Sequence, residues 1–153
     1  DNTGAVTMPL QPAVLVFNSA ADANVTGDST NYTLDFDTEI FDQNADFASD
    51  TFTAPVTGRY MITAQVEVKD VTTSHVNSIF VIVSSNRSYG GRMLDIGNVP
   101  DGAAVVSHNI VTLVDMDASD TLTITLDIDG SGKTIDIGGA ADGYTWISAY
   151  LVA

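Results

Sequence analysis

The chain has 153 residues, 44% of them hydrophobic, a single-domain length with enough apolar material for one sizeable core. Its 20 acidic residues against 5 basic ones give a formal net charge of −15, which leaves no Lys/Arg patch for nucleic-acid phosphates and disfavours anionic membrane surfaces. Cysteine is absent, so there is no disulfide framework, and no apolar run approaches the roughly 20 residues of a membrane-crossing helix.

The chain starts at Asp1 without a methionine, which reads as a cut boundary or a processing product. Residues 1–11, with Pro9 and Pro12 near their end, read as an extended lead-in, and 12–153 as one domain. No stretch has a helical period. β-rich runs alternate instead with Gly, Asp, Asn and Ser clusters, the pattern of sandwiches and barrels. Strands are predicted around Val14–Phe17, Tyr32–Phe36 and Thr51–Thr53. Ala54-Pro55-Val56-Thr57-Gly58 then marks a loop. The next run places Tyr60, Ile62, Ala64, Val66 and Val68 on one side and Met61, Thr63, Gln65 and Glu67 on the other.

Ile79 to Val83 is continuously apolar, which predicts a strand buried on both faces or lying at a subunit contact. Val99-Pro100-Asp101-Gly102 is a second loop signal, ahead of a strand at Val105–Val114. Leu122, Ile124, Leu126 and Ile128 alternate strictly with Thr121, Thr123, Thr125 and Asp127. Asp129-Gly130-Ser131-Gly132 ends that run, and Tyr144–Val152 closes the chain. About ten short strands in one domain predict an all-β jelly-roll sandwich of two packed sheets. Three N-x-S/T triplets, at Asn24, Asn31 and Asn86, are expected by chance in an Asn- and Thr-rich chain.

The stretch from Phe36 to Ala64 carries a spaced set: Phe36, Asp42, Phe47, Phe52, then Gly58-Arg-Tyr60-Met-Ile62-Thr-Ala64. This set resembles the signature of the C1q globular head, within the C1q/tumour necrosis factor superfamily. Val14–Ser19, Asp115–Leu126 and Ile147-Ser-Ala-Tyr-Leu151 are similar to that family's opening strand, late turn with its alternating strand, and closing strand. The sequence departs from the pattern where Ile62 and Ala64 stand for aromatics, Ala149 stands for glycine, and two residues are missing between Phe47 and Phe52. The resemblance implies a homotrimer with the chain ends at a base and binding loops at the far end. With no cysteine and an Asp/Thr/Gly-rich style, a bacterial or phage member is expected.

Large residues in a closing strand that would otherwise fray point to Trp146, Ile147 and Tyr150 as shared surface, with Tyr60 and Ile62 beside them. Some relatives hold calcium near the trimer apex, which suggests Asp95 and Asp101 as ligands here. Asp127-Ile-Asp129-Gly-Ser131-Gly132 looks like half of an EF-hand loop. Its twelfth position is Gly138 instead of Glu and its flanks are strand, so a hairpin turn is the reading. Arg87 and Tyr89, among small polar residues, form either a ligand contact or a local charge partnership. His75 and His108 have no neighbouring ligand at metal spacing and read as polar loop or strand-face residues. No nucleophile elbow, phosphate loop or zinc motif is present, so an enzyme is not expected. The expected role is a trimeric recognition head on a fibre or surface adhesin, binding a cell-surface glycan or receptor. A structural trimerisation cap and a secreted ligand are the alternatives.

Overall fold

Thirteen strands and one short 3-10 turn follow each other along the chain, in a computed structural model that describes residues 8–98, 104–140 and 143–153. The strands are β1 (Ala13–Phe17), β2 (Asp22–Thr26), β3 (Tyr32–Thr33), β4 (Thr38–Gln43), β5 (Phe47–Ala48), β6 (Thr51–Thr53), β7 (Gly58–Lys69), β8 (Asn77–Ser84), β9 (Ser88–Leu94), β10 (Val106–Met116), β11 (Thr121–Asp129), β12 (Ile135–Ile137) and β13 (Trp146–Leu151). They form two antiparallel sheets. The first runs β4-β1-β13-β7-β10, with β12 and then β2 continuing beside the far end of β7. The second runs β5-β6-β11-β8-β9, and β3 pairs onto β11.

The period-two runs explain the packing. On β7 the residues Tyr60, Ile62, Ala64, Val66 and Val68 are fully buried. They face Leu122, Ile124, Leu126 and Ile128 of β11, equally enclosed, across the space between the sheets. Each large side chain enclosed there contributes about 1.5–3 kcal/mol of transfer free energy. Phe52 and Tyr60 meet edge to face at 5.4 Å. The Tyr60 hydroxyl donates to the Val56 carbonyl at 2.6 Å, so the one polar atom of that ring is satisfied. Between β5 and β6 the turn residues Ser49 and Asp50 both have positive φ, 48° and 60°, the twist a two-residue hairpin needs.

Both ends of the domain lie together at what we term the base. Leu151 N donates to Pro12 O, and Arg59 N donates to the Ala153 carbonyl at 2.7 Å. A side chain at position 58 would collide with that carbonyl, which explains Gly58. The opposite end, the apex, holds the turn after β7, the 3-10 turn Ile96–Asn98 and the turn after β11.

Several expectations are corrected. Among the described residues thirteen strands replace about ten, since β2, β4, β5, β9 and β12, which lie outside the predicted runs, are short, polar or contain Gly90-Gly91. Around Tyr32–Phe36 ladder pairing covers only Tyr32 and Thr33, although Leu34 N still donates to Ile124 O. Ile79–Val83 is not buried on both faces. Phe80 and Ile82 enter the core, while Ile79, Val81 and Val83 lie half-buried on the outside of the second sheet. The turn Asp129–Gly132 is not a hairpin, since it passes the chain from β11 in one sheet to β12 in the other. The Val99–Gly102 loop lies outside the described residues.

Candidate interaction surface

Strand alternation fixes which side chains leave the first sheet on its outer face. Opposite the core residues of β7 are Met61, Thr63 and Gln65. Register then builds rows across the sheet. Leu113, Met61, Tyr150 and Ala13 form one row, and Val111, Thr63, Ser148, Leu15 and Phe41 the next. Trp146, half-buried, follows beside Gln65 and Asn109.

Four of these apolar residues stay open to solvent in the single chain: Val111 at 60%, Leu113 at 48%, Phe41 at 48% and Tyr150 at 45%. These residues form an apolar band across one face of a chain whose net charge is −15. Towards the apex the same face turns polar. Glu67 and Lys69 pair at 3.1 Å, and the Lys69 ammonium lies 5.9 Å from the Tyr144 ring centre.

The edge of this sheet adds to the pattern. Among the described residues β10 pairs with β7 alone, in unbroken register over 11 residues. It contains no lysine, proline or bulge, the usual devices that protect an exposed edge.

The sandwich that carries this face matches solved structures over nearly its whole length. Murine APRIL at pH 5.0 superposes with a TM-score of 0.64 at 12% identity, over 93% of this chain and 99% of that one. Murine APRIL at pH 8.5 gives 0.62 at 14%, with the same coverage. The globular domain of zebrafish complement 1qA protein gives 0.60 at 15%, over 94% and 98%. The fold is that of the C1q and tumour necrosis factor heads. At such identities the likeness is one of architecture, and it agrees with the signature between Phe36 and Ala64. No protein-family model matches the sequence, and no curated protein matches it either.

Within this C1q/tumour-necrosis-factor sandwich the expected interface residues divide. Trp146 and Tyr150 lie on the outer face. Tyr60, Ile62 and Ile147 do not: they are 0%, 0% and 1% exposed and belong to the chain's own core. The reason is parity, since residues one position apart on a strand point to opposite faces. The same outer face also carries Met61, Val111, Leu113 and Phe41, which were not among the expected interface residues. The signal for two of them was present, because Ile110-Val111-Thr112-Leu113-Val114 is apolar on both parities.

Arg87 and Tyr89 lie at the base, beside the chain ends and away from the apical loops. The Arg87 guanidinium donates to Asp115 at 2.8 Å, and the Tyr89 hydroxyl donates to the other oxygen of the same carboxylate at 2.8 Å. Together they strap β9 to β10 across the open side of the sandwich. The Tyr89 hydrogen bond, aided by Arg87, holds the Asp115 carboxyl below the ordinary carboxylate range. The local charge partnership expected as one alternative for Arg87 is thus present, with Asp115 as the partner. An exposed pair of this kind adds little stability.

Asp95 is exposed, precedes the 3-10 turn, and uses its backbone N–H on the Val76 carbonyl. Asp101 lies outside the described residues. Among the described residues of one chain, no group of three or more His, Cys, Asp or Glu side chains gathers. Asp129 accepts hydrogen bonds from the Asn77 amide and serves the turn.

His75 lies in the loop between β7 and β8 and His108 on β10, a loop and a strand position as expected, and both are buried. His75 is 1% and His108 7% exposed, and each has an Nε2 without a hydrogen-bond partner. Nδ1 of His75 accepts the Thr72 N–H at 2.9 Å, which fixes its apical turn.

Proposed function

We propose that this domain is a homotrimeric extracellular binding head, with the outer face of the first sheet as the contact between copies. The band formed by Met61, Phe41, Val111, Leu113 and Tyr150 carries this reading. Its apolar area is left in water by a single chain, and the bare edge of β10 adjoins it. A stable assembly of this type buries on the order of 2,000 Å² or more. Likeness to the C1q and tumour necrosis factor sandwich supports the same reading.

Closure of that face directs the three apices the same way, leaving their loops to meet a partner. Such a head suits a repeated cell-surface glycan or a protein receptor, because linked weak sites gain roughly 10² to 10⁴ in avidity without new chemistry. Binding of the wild-type assembly and of a face-disrupted monomer to glycan arrays and intact cells tests this function. The trimer should bind at least tenfold more tightly. Equal binding by both would refute a multivalent head.

A further inference from the structure

We propose that His108 is an acid-operated latch on β10, which loosens the shared face, and with it the trimer, as the surroundings approach about pH 5. The proposal rests on the trimer reading above. β10 is an edge strand of the first sheet and β9 an edge strand of the second, and the two border the open side of the sandwich. Between them lies a recess of about 200 Å³ lined by Phe80, Gly91, Arg92, Ser107, Asn109 and His108 itself. The recess is open beside Gly91, where a Cβ would meet nothing within 4 Å. The His108 ring stands edge-on to Phe80 at 6.1 Å, with its Nε2 enclosed and unpartnered. Val111 and Leu113 of the proposed contact face leave the same strand on its other side.

A neutral imidazole is tolerated here. A protonated one gains a charge and a donor with no acceptor to receive it. The surroundings offer no relief. From β7 the inward residues are Ala64, Val66 and Val68, while Glu67 and Lys69 point to the opposite face. From β8 come Phe80 and Ile82. β9 brings Arg92, a second cation. On β10, Ser107 and Asn109 are uncharged, and Asp115 is engaged with Arg87 and Tyr89. That strap stays ionised through mild acid, so the segment free to lift is Val106–Ile110. Lifting brings the ring to water and breaks the flatness of the contact face.

The direction of the pH effect is specific to histidine. Burial holds the His108 imidazole below its ordinary value of 6.5, so the closed edge binds fewer protons than the open one. Closure therefore weakens as pH falls below that value, and the open-to-closed ratio rises by up to about 30-fold per copy at pH 5. The carboxylates act oppositely. Asp35, Asp46 and Asp127 are raised mainly by burial, so the folded form takes up their protons and gains stability in acid. Repulsion among copies that each carry −15 also falls on acidification.

The test is native mass and sedimentation of wild type, His108→Phe and His108→Leu at about pH 7.5 and about pH 5. Wild type should be a trimer at the higher pH and dissociate at least tenfold more readily at the lower. Both variants should remain trimers at both. Wild type equally tight at both values overturns the latch alone, as does a variant that keeps the acid loss. A monomer at the higher pH overturns the trimer reading and the latch with it. Amide hydrogen exchange of β10 in wild type guards against variants that fail to fold: no extra opening at Val106–Ile110 in acid overturns the latch.

Discussion

Val111→Glu separates the contact face from the core most cleanly. In the single chain this side chain is 60% exposed, and its row neighbours Thr63 and Ser148 carry no charge. The substitution should therefore change the stability of one chain by no more than about 0.5 kcal/mol. In a trimer the exposed three-fifths of the valine would be buried, about 1 kcal/mol per copy at the usual transfer value. Three copies lose about 3 kcal/mol, roughly a hundredfold in association from this effect alone. The larger effect is the carboxylate, whose desolvation without a partner costs several kcal/mol per copy. A protein at micromolar concentration should thus pass from trimer to monomer while keeping its circular dichroism and thermal transition. Sedimentation equilibrium reads the mass directly. A Val111→Glu protein that stays trimeric, or one that unfolds as it dissociates, refutes the placement of this face.

Ile62→Ala provides the converse case: it should cost about 2–5 kcal/mol in urea unfolding, because it leaves a cavity in the core of each chain. Were Ile62 at a subunit contact instead, the loss would depend on protein concentration. Tyr60→Phe removes the bond to Val56 O and leaves that carbonyl short of a partner. It should cost about 1 kcal/mol, a fall of about 2–4 °C in the thermal midpoint measured by calorimetry. Asp35 has its carboxyl pushed up by burial and by the neighbouring Asp50 charge, so the folded state holds its proton more tightly than the unfolded one. Stability from this group is present in acid and lost as pH rises through the ordinary carboxylate value towards the raised one. Asp35→Asn should then raise the midpoint at neutral pH, with the gain vanishing near pH 3.

The architecture was readable because alternation alone settles which residues a sandwich encloses. The runs at Tyr60–Val68 and Leu122–Ile128 landed in the core as their period demands. The spacing from Phe36 to Gly58 could be read for a different reason: each of its aromatics fills a fixed place between the sheets, and the glycine makes room for the chain end. The proposed contact face was readable only in part. Size drew attention to Tyr60, Ile62 and Ile147, yet size says nothing about which side of a sheet a residue leaves. Parity does, and it sorts Trp146 and Tyr150 from Ile147 within one strand. β2, β4 and β9 stayed hidden because edge strands are stabilised by one neighbour and need little apolar content.

The position of the charges also argues for where a partner would be met. Arg87, the most inviting binding anchor in the sequence, is held at the base by Asp115, on the side where Pro12 and Ala153 lie. A head held there by a stalk would have that loop turned towards its own support. The apical loops are built differently. Gly27, Gly97 and Gly130 approach neighbouring backbone so closely that any side chain there would clash. His75 sits at the centre of that packing, its Nδ1 holding the turn at Thr72. Loops fixed in this way present a preformed surface, which lowers the ordering cost of binding. In the proposed trimer, recognition would then fall to these fixed apical turns, each presented by all three copies.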